Sequence, residues 1–432
     1  MIAFASLFLG LIVGTQPVQV LVGDAVHRVE YHLDGALLAE ITSPPWRADV
    51  AFGEQLAPHE LVATAFDAEG SPVAVARQWI NLPRGGAEGR LVIRAAENGH
   101  GASARLAFES VTAEQPTAVR VLLDGEEIAV DNVAQFDLPR YDPESLHYLR
   151  VELEFGANIV SIVEATFGGT YAEHAEISQM AVPILVSGET RPGFVREIQG
   201  RFTKSGEAVQ VLGVDEGPAE VILVRDKGAQ PAIDLLARLM SRRLGADSLR
   251  FVAHLRRDQR VRFLSPFAER SLRPEFQYEL FASSEEYTPR EGGIFWFLLN
   301  LRPEPQAVEG QRLADAVAVA GMTATKNNYR RAVVLLLGEE PVDSSRLAPE
   351  AVRNYLESVR VPLFVWTVDG SASGESAGWG EVEDVSSVAR LERQVSELGR
   401  FLERQRIVWL EGIHLPQMLS IRHGVPEITI AM

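Results

Sequence analysis

The stretch AEVILVRDKGAQ, residues 219–230, sets an aspartate directly after an apolar run. A buried strand that ejects a carboxylate at its C-terminal end places a hard oxygen at the lip of a sheet. There it can hold a divalent cation or take a proton in catalysis. Asp226 is therefore the first residue to test, with Lys227, Gly228, Ala229 and Gln230 as its immediate setting.

Other chemistry-bearing patterns are thinner. The chain has no cysteine, which excludes thiolate nucleophiles, disulfides and Cys-type zinc or iron–sulfur sites. No G-x-S-x-G, H-E-x-x-H or phosphate-loop pattern occurs. Glu285-Glu286 and Glu339-Glu340 are carboxylate pairs, but adjacent side chains on a loop diverge and nothing nearby marks an apolar cleft. His59 and His147 each open a strand after a Pro- or Ser-containing turn, where a ring nitrogen satisfies local backbone more readily than it binds metal. Trp379, inside the Gly/Ser-rich run 370–380, is the tryptophan read as an exposed contact. The formal charge of −18 argues against nucleic acid or an anionic lipid surface as a partner.

The elements that must position these residues change character along the chain. A length of 432 residues exceeds one ordinary core. Up to about residue 190, short β-branched and aromatic runs such as VQVLV, RVEYHL and RLVIRA alternate with Asp-Gly, Pro-Pro and Gly-Gly turns. An internal repeat organises them. Val29-Glu-Tyr-His-Leu-Asp34-Gly35 aligns with Val119-Arg-Val-Leu-Leu-Asp124-Gly125, and each Asp is followed by a His-x-Leu, at His59 and His147. The period of about 90 residues is the size of one immunoglobulin-like domain. The spacing predicts two all-β sandwiches, 1–83 and 88–192, joined by the linker 81–86. Ile2 to Val13 is either the apolar core of a signal peptide (residues 1–15) or a first strand.

Beyond residue 195 helical and strand patterns alternate. Leu235–Leu244 has helical spacing, and 331–337 (RAVVLLL) reads as a strand buried on both faces. A proline-led helix starts at Ala348, Val361-Pro-Leu-Phe-Val-Trp-Thr367 is a further strand, and Val388–Arg406 is an amphipathic helix. Alternation of this kind predicts a doubly wound α/β domain over 200–432, with a C-terminal extension.

Taken in order, these elements resemble a von Willebrand factor A-type domain. Val221–Asp226 matches its first strand. Leu249–Leu255 with Arg260–Leu264 would form a hairpin, Leu313–Ala320 the helix after its second loop, and 331–337 and 362–368 its fourth and fifth strands. The whole layout resembles the bacterial VWFA-related proteins common in Acidobacteria. That resemblance implies an adhesion-like or scaffolding role. Metal-binding members use Asp-x-Ser-x-Ser, a threonine and an aspartate from three loops. Here Asp226, Gly228 and Gln230 stand at the first-loop positions, Gln311 or Arg312 at the threonine, and a leucine of the Leu335–Gly338 run at the aspartate. The resemblance thus implies a degenerate, metal-free site, with Asp226 in a salt bridge or a helix N-terminal contact. The alternative is rescue of a cation by oxygens from Glu339, Glu340 and Asp343-Ser-Ser345.

The functional expectation is a non-enzymatic protein-binding or scaffold protein that needs no cofactor and turns over no small-molecule substrate. Its partner-binding rim would comprise Lys227, Gln311, Arg312, Glu339, Glu340 and Asp343. The alternative is a self-associating structural component of a cell-envelope assembly or filament. The expected location is periplasmic or extracellular, or cytoplasmic if residues 1–15 are a strand.

Overall fold

A computed structural model describes residues 1–95, 102–111, 115–139, 141, 147–155, 159–167, 179–187, 195–243, 259–270, 278–281, 310–326, 328–370, 374–376, 378–422 and 427–432. The chain divides into two compact units, Met1–Glu176 and Ile177–Met432. Among the described residues no helix is long and apolar enough to cross a membrane.

The first unit holds two sandwiches of one design. In the first, β1 (Ile2–Phe4), β2 (Thr15–Val22) and β5 (Arg47–Ala51) form one sheet, ordered β1-β2-β5. The facing sheet has the order β4-β3-β6-β7, from β3 (Arg28–Leu33), β4 (Ala36–Ile41), β6 (His59–Phe66) and β7 (Pro72–Ile80). The second repeats it. Strands β8 (Ala87–Ala95), β9 (Ala102–Ser110) and β12 (Gln135–Leu138) form the three-stranded sheet. Strands β10 (Ala118–Leu123), β11 (Glu126–Ile128), β13 (His147–Glu154) and β14 (Val160–Phe167) form the four-stranded one, ordered β11-β10-β13-β14. Both are immunoglobulin-like β-sandwich modules.

Alternation builds them. In β6, Leu61, Ala63 and Ala65 are fully buried, as are Leu149, Val151 and Leu153 in β13, while the residues between face outward. The Asp-Gly turns are type I′ in conformation: φ is +51° and +86° at Asp34-Gly35, and +52° and +87° at Asp124-Gly125. The apolar N-terminal run, open between leader and strand, supplies β1 and sends Ile2, Phe4 and Leu7 into the first core.

The second unit departs from the expected boundaries. Strand β15 (Gln179–Val186), read from sequence as part of the second sandwich (88–192), pairs instead with β27 (Gln405–Glu411). With β18 (Val211–Asp215) and β29 (Ile428–Ile430) they form a sheet ordered β18-β27-β15-β29. Helix α1 (Val195–Ile198) and a sheet ordered β17-β16-β28 complete this β layer; its strands are β16 (Phe202–Lys204), β17 (Glu207–Ala208) and β28 (Leu419–Ile421). Ile184, Phe202, Val408 and Leu410 lie in its core. Residues 405–430 are therefore no mere extension. They and residues 179–215 flank an α/β insertion that leaves from β18 and returns into β27, its neighbour.

That insertion is a sheet ordered β20-β19-β23-β24-β26-β25. Strands β19 (Ala219–Arg225), β20 (Gln259–Leu264), β23 (Arg330–Leu337), β24 (Leu363–Thr367) and β26 (Gly380–Asp384) run parallel, and β25 (Gly374–Ser376) is antiparallel at the edge. A small hairpin, β21 (Ala268–Arg270) with β22 (Tyr278–Leu280), stands apart. Every residue of β19 and β23 is buried, the signature of strands covered on both faces. Helices α2 (Gln230–Arg243) and α5 (Val388–Arg404) cover one face, packing Ile233, Leu236, Leu391 and Leu398 on Val221, Val334 and Trp366. Helix α3 (Leu313–Lys326) packs on β19 and β23, and α4 (Pro349–Ser358) packs on α3. Arg260–Leu264, expected in a hairpin, lies in β20 and pairs parallel with β19; its expected partner 249–255 lies outside the described residues.

Candidate functional site

Three loops meet at the C-terminal ends of β19 and β23, and Asp226 is at their centre. Its backbone N–H still donates to Leu336 O (2.8 Å), so the residue leaves the ladder only after this bond. It is 1% exposed and extended, at φ −63° and ψ 133°. Oδ1 accepts from the N–H of Gly228 (2.9 Å) and so caps a short 3₁₀ turn, Lys227–Ala229, that feeds α2. Oδ2 accepts from the N–H of Gly338 (2.8 Å) at the end of β23. Of the two contacts expected for Asp226, the helix N-terminal one is present.

Gln311 completes the arrangement. Its Nε2 donates to Asp226 Oδ1 (2.7 Å) and to the carbonyl of Val342 (2.5 Å), while its Oε1 accepts from Lys227 N (3.0 Å). One amide thus ties the first, second and third loops together. Read from sequence as a rim residue, Gln311 is buried at 8% exposure and acts from beneath the rim. Gly338 is required by the same convergence: a Cβ there would stand 2.5 Å from Gly228 C and 2.8 Å from Asp226 Oδ2. The third loop therefore brings an N–H, with no room for a side chain, to the first-loop carboxylate. Gln230 turns along its helix, with Nε2 donating to Asp234 (2.8 Å). Of the positions Asp226, Gly228, Gln230 and Gln311, all but Gln230 join, with Gly338, in a hydrogen-bond knot around one carboxylate, not a ring of oxygens.

Of the rescue candidates, Asp343 and Ser345 have other work. Asp343 accepts from the N–H groups of Leu313 (2.9 Å) and Ala314 (3.1 Å), and Ser345 Oγ accepts from Asp315 N (3.0 Å). Asp315 in return accepts from Arg346 N and Leu347 N. The orphan donors of α3 are capped by a loop distant in sequence, which explains why the capping residues do not precede the helix. Above this lacing Lys227, Glu339 and Glu340 are exposed, Arg312 is half-buried, and Val342 is 70% exposed. Trp379 is a correction. It is 6% exposed, and its flanking glycines lie against Pro349 and Arg353 of α4. Glu285 and Glu286 lie outside the described residues.

The two histidines share a second arrangement that residue types alone did not reveal. His59 Nδ1 lies 2.7 Å from Asp34 Oδ2, and His147 Nδ1 lies 2.7 Å from Asp124 Oδ2. The other carboxylate oxygen accepts from Glu60 N in one module and Tyr148 N in the other, both at 2.8 Å. Burial pushes each carboxyl up, but the hydrogen bonds and the imidazole charge outweigh it and hold both below the usual aspartate value. The signal was the repeat itself, which keeps an Asp 25 or 23 residues ahead of a His.

No protein family and no curated protein matches the chain. Among solved structures it is similar to the fibronectin(III)-like modules of Clostridium thermocellum CbhA, at 16% identity over 18% of this chain and 93% of that one, with a TM-score of 0.17. It is similar to the central fibronectin-III array of RIM-binding protein, at 12% identity over 42% and 78%, TM-score 0.20. It also matches proximal thread matrix protein 1 from the mussel byssus, at 12% identity over half of each chain, TM-score 0.27. The strand order, not these distant likenesses, defines the two modules.

Proposed function

We propose that the chain is a non-enzymatic binding or scaffold protein, with the two β-sandwich modules as an arm and a metal-free A-type domain as the head that meets a protein partner. The order of the parallel strands and the carboxylate at the end of the first central one favour a von Willebrand factor A-like reading. The observation that carries the metal-free reading is Gln311. Its amide N–H takes Asp226 Oδ1, and backbone N–H groups take the remaining contacts. A partner would then meet the exposed loop tips, Lys227, Glu339, Glu340 and Val342, mounted on a rigid base. Thermal melting in excess Mg²⁺ and in EDTA tests the reading: identical curves are expected, and a Mg²⁺-dependent rise overturns it.

Self-association of the β modules is the second reading. Val73 and Val75 on β7, and Val160 and Ile162 on β14, are exposed at 44%, 58%, 50% and 50% on the last strand of each sandwich. Apolar pairs at matching places suit contact between copies. Light scattering showing only monomer across micromolar concentrations would count against it.

A further inference from the structure

The segment 81–86, Asn-Leu-Pro-Arg-Gly-Gly, has the composition of a flexible tether between the sandwiches. Its bonding is otherwise. Asn81 is 2% exposed, and its side-chain amide pairs with both the N–H (2.6 Å) and the carbonyl (2.9 Å) of Ile12, and with Ala57 O (2.7 Å). The start of the linker is thereby bonded into the first module.

Arg84 reaches both ways. Its Nη1 donates to the carbonyl of Phe8 in the first module (3.3 Å), and its Nη2 forms an ion pair with Glu88 on β8 of the second. The two side chains are 9% and 18% exposed, so water screens the pair poorly. Glu88 stands directly across the β8–β9 ladder from Glu109, an opposition of like charges that costs stability unless a cation is shared. Arg90 also pairs with Glu88, at 2.5 Å, from the more exposed side. Burial pushes the Arg84 guanidinium below its ordinary value, against the pull of Glu88 and Glu109. A second contact crosses the junction nearby, from Ile93 N–H to the thioether of Met1 (3.3 Å).

We propose that Arg84 is a clamp that makes the two sandwiches one rigid arm, binding the Phe8 carbonyl of the first module and the Glu88 carboxylate of the second. This does not depend on what the head binds, and its test involves no partner.

The Arg84–Gly85 bond is itself the reporter. A glycine-rich linker carrying an arginine is otherwise a good trypsin site. In the native full-length chain this bond should resist trypsin under conditions that nick exposed loops. Glu88→Gln should open it selectively, with cleavage about tenfold faster, as expected when one charge-assisted hydrogen bond is lost. Glu109→Gln leaves the Arg84–Glu88 pair and should stay protected. Equal cleavage in native chain and Glu88→Gln overturns the clamp, and so does cleavage spread evenly through the second module, which would mean unfolding. Small-angle X-ray scattering on Arg84→Ala gives a protease-free reading. A longer maximum dimension at unchanged melting temperature supports the clamp, and an unaltered profile overturns it.

Discussion

Nε2 of Gln311 lies 2.7 Å from Oδ1 of Asp226, and the same amide group reaches Val342 O and Lys227 N. Because Asp226 and Gln311 are both buried, removing the amide leaves a carboxylate oxygen without its partner and frees the Val342 carbonyl and the Lys227 N–H. Gln311→Ala should therefore destabilise the second unit by roughly 1–3 kcal/mol, the cost of stranding buried polar groups. Urea unfolding monitored by tryptophan fluorescence measures it. A change below about 0.5 kcal/mol, the size of an ordinary surface substitution, would show that water replaces the amide freely.

Gly338 offers a steric test of the same convergence. Its backbone N–H bonds Asp226 only because nothing projects from its Cα, and a methyl there would overlap the backbone of Gly228 and Ala229. Gly338→Ala should cost about 1–3 kcal/mol by overpacking. The loss should appear as a lower unfolding midpoint at unchanged denaturant slope, since the unfolded chain is barely altered.

Much of this was legible where the physics is local. The Asp-Gly turns adopt the positive φ that their composition demands. The helix expected over 388–406 forms over 388–404 with its apolar side facing the sheet, its last two residues opening β27 instead. The strand expected over 331–337 forms as β23, 330–337, and is buried on both faces as expected. What escaped was non-local. Strand β15 carries the same β-branched style as the sandwich strands before it, yet its partner β27 lies more than 200 residues away. Likewise the sequence showed Gln311 or Arg312 in place of a hydroxyl, but not that the Gln311 amide would bind Asp226. Trp379 looked exposed because glycine and serine surround it; those glycines instead permit close approach to α4.

Asp343 was a candidate oxygen for a cation, and its use as a helix cap makes a different prediction. It accepts from the first two N–H groups of α3, while Ser345 takes the third. Asp343→Ala should cost about 1 kcal/mol of stability, within the range for lost caps. The loss should be the same in EDTA and in Mg²⁺. A penalty that appears only with Mg²⁺ would mean that the carboxylate serves a cation after all.

The paired clasps Asp34–His59 and Asp124–His147 lead to a pH dependence of definite sign. Burial raises each aspartate, but the ring, the backbone N–H and the imidazole charge together hold it below its ordinary 3.8. A carboxylate depressed in the folded state favours folding once it is ionised. Its contribution is present above pH 3.8 and fades as the pH falls through the lower folded value. The first unit should therefore lose melting temperature steeply below about pH 4. The variant Asp34→Asn with Asp124→Asn isolates the charge, because asparagine tolerates the left-handed φ of both turns and keeps their shape. In that variant the acid slope should flatten while the melting temperature at neutral pH drops. Differential scanning calorimetry from pH 2.5 to 7 reads both changes. A slope identical to that of the native chain would mean that the clasps act by shape alone and carry no electrostatic stabilisation.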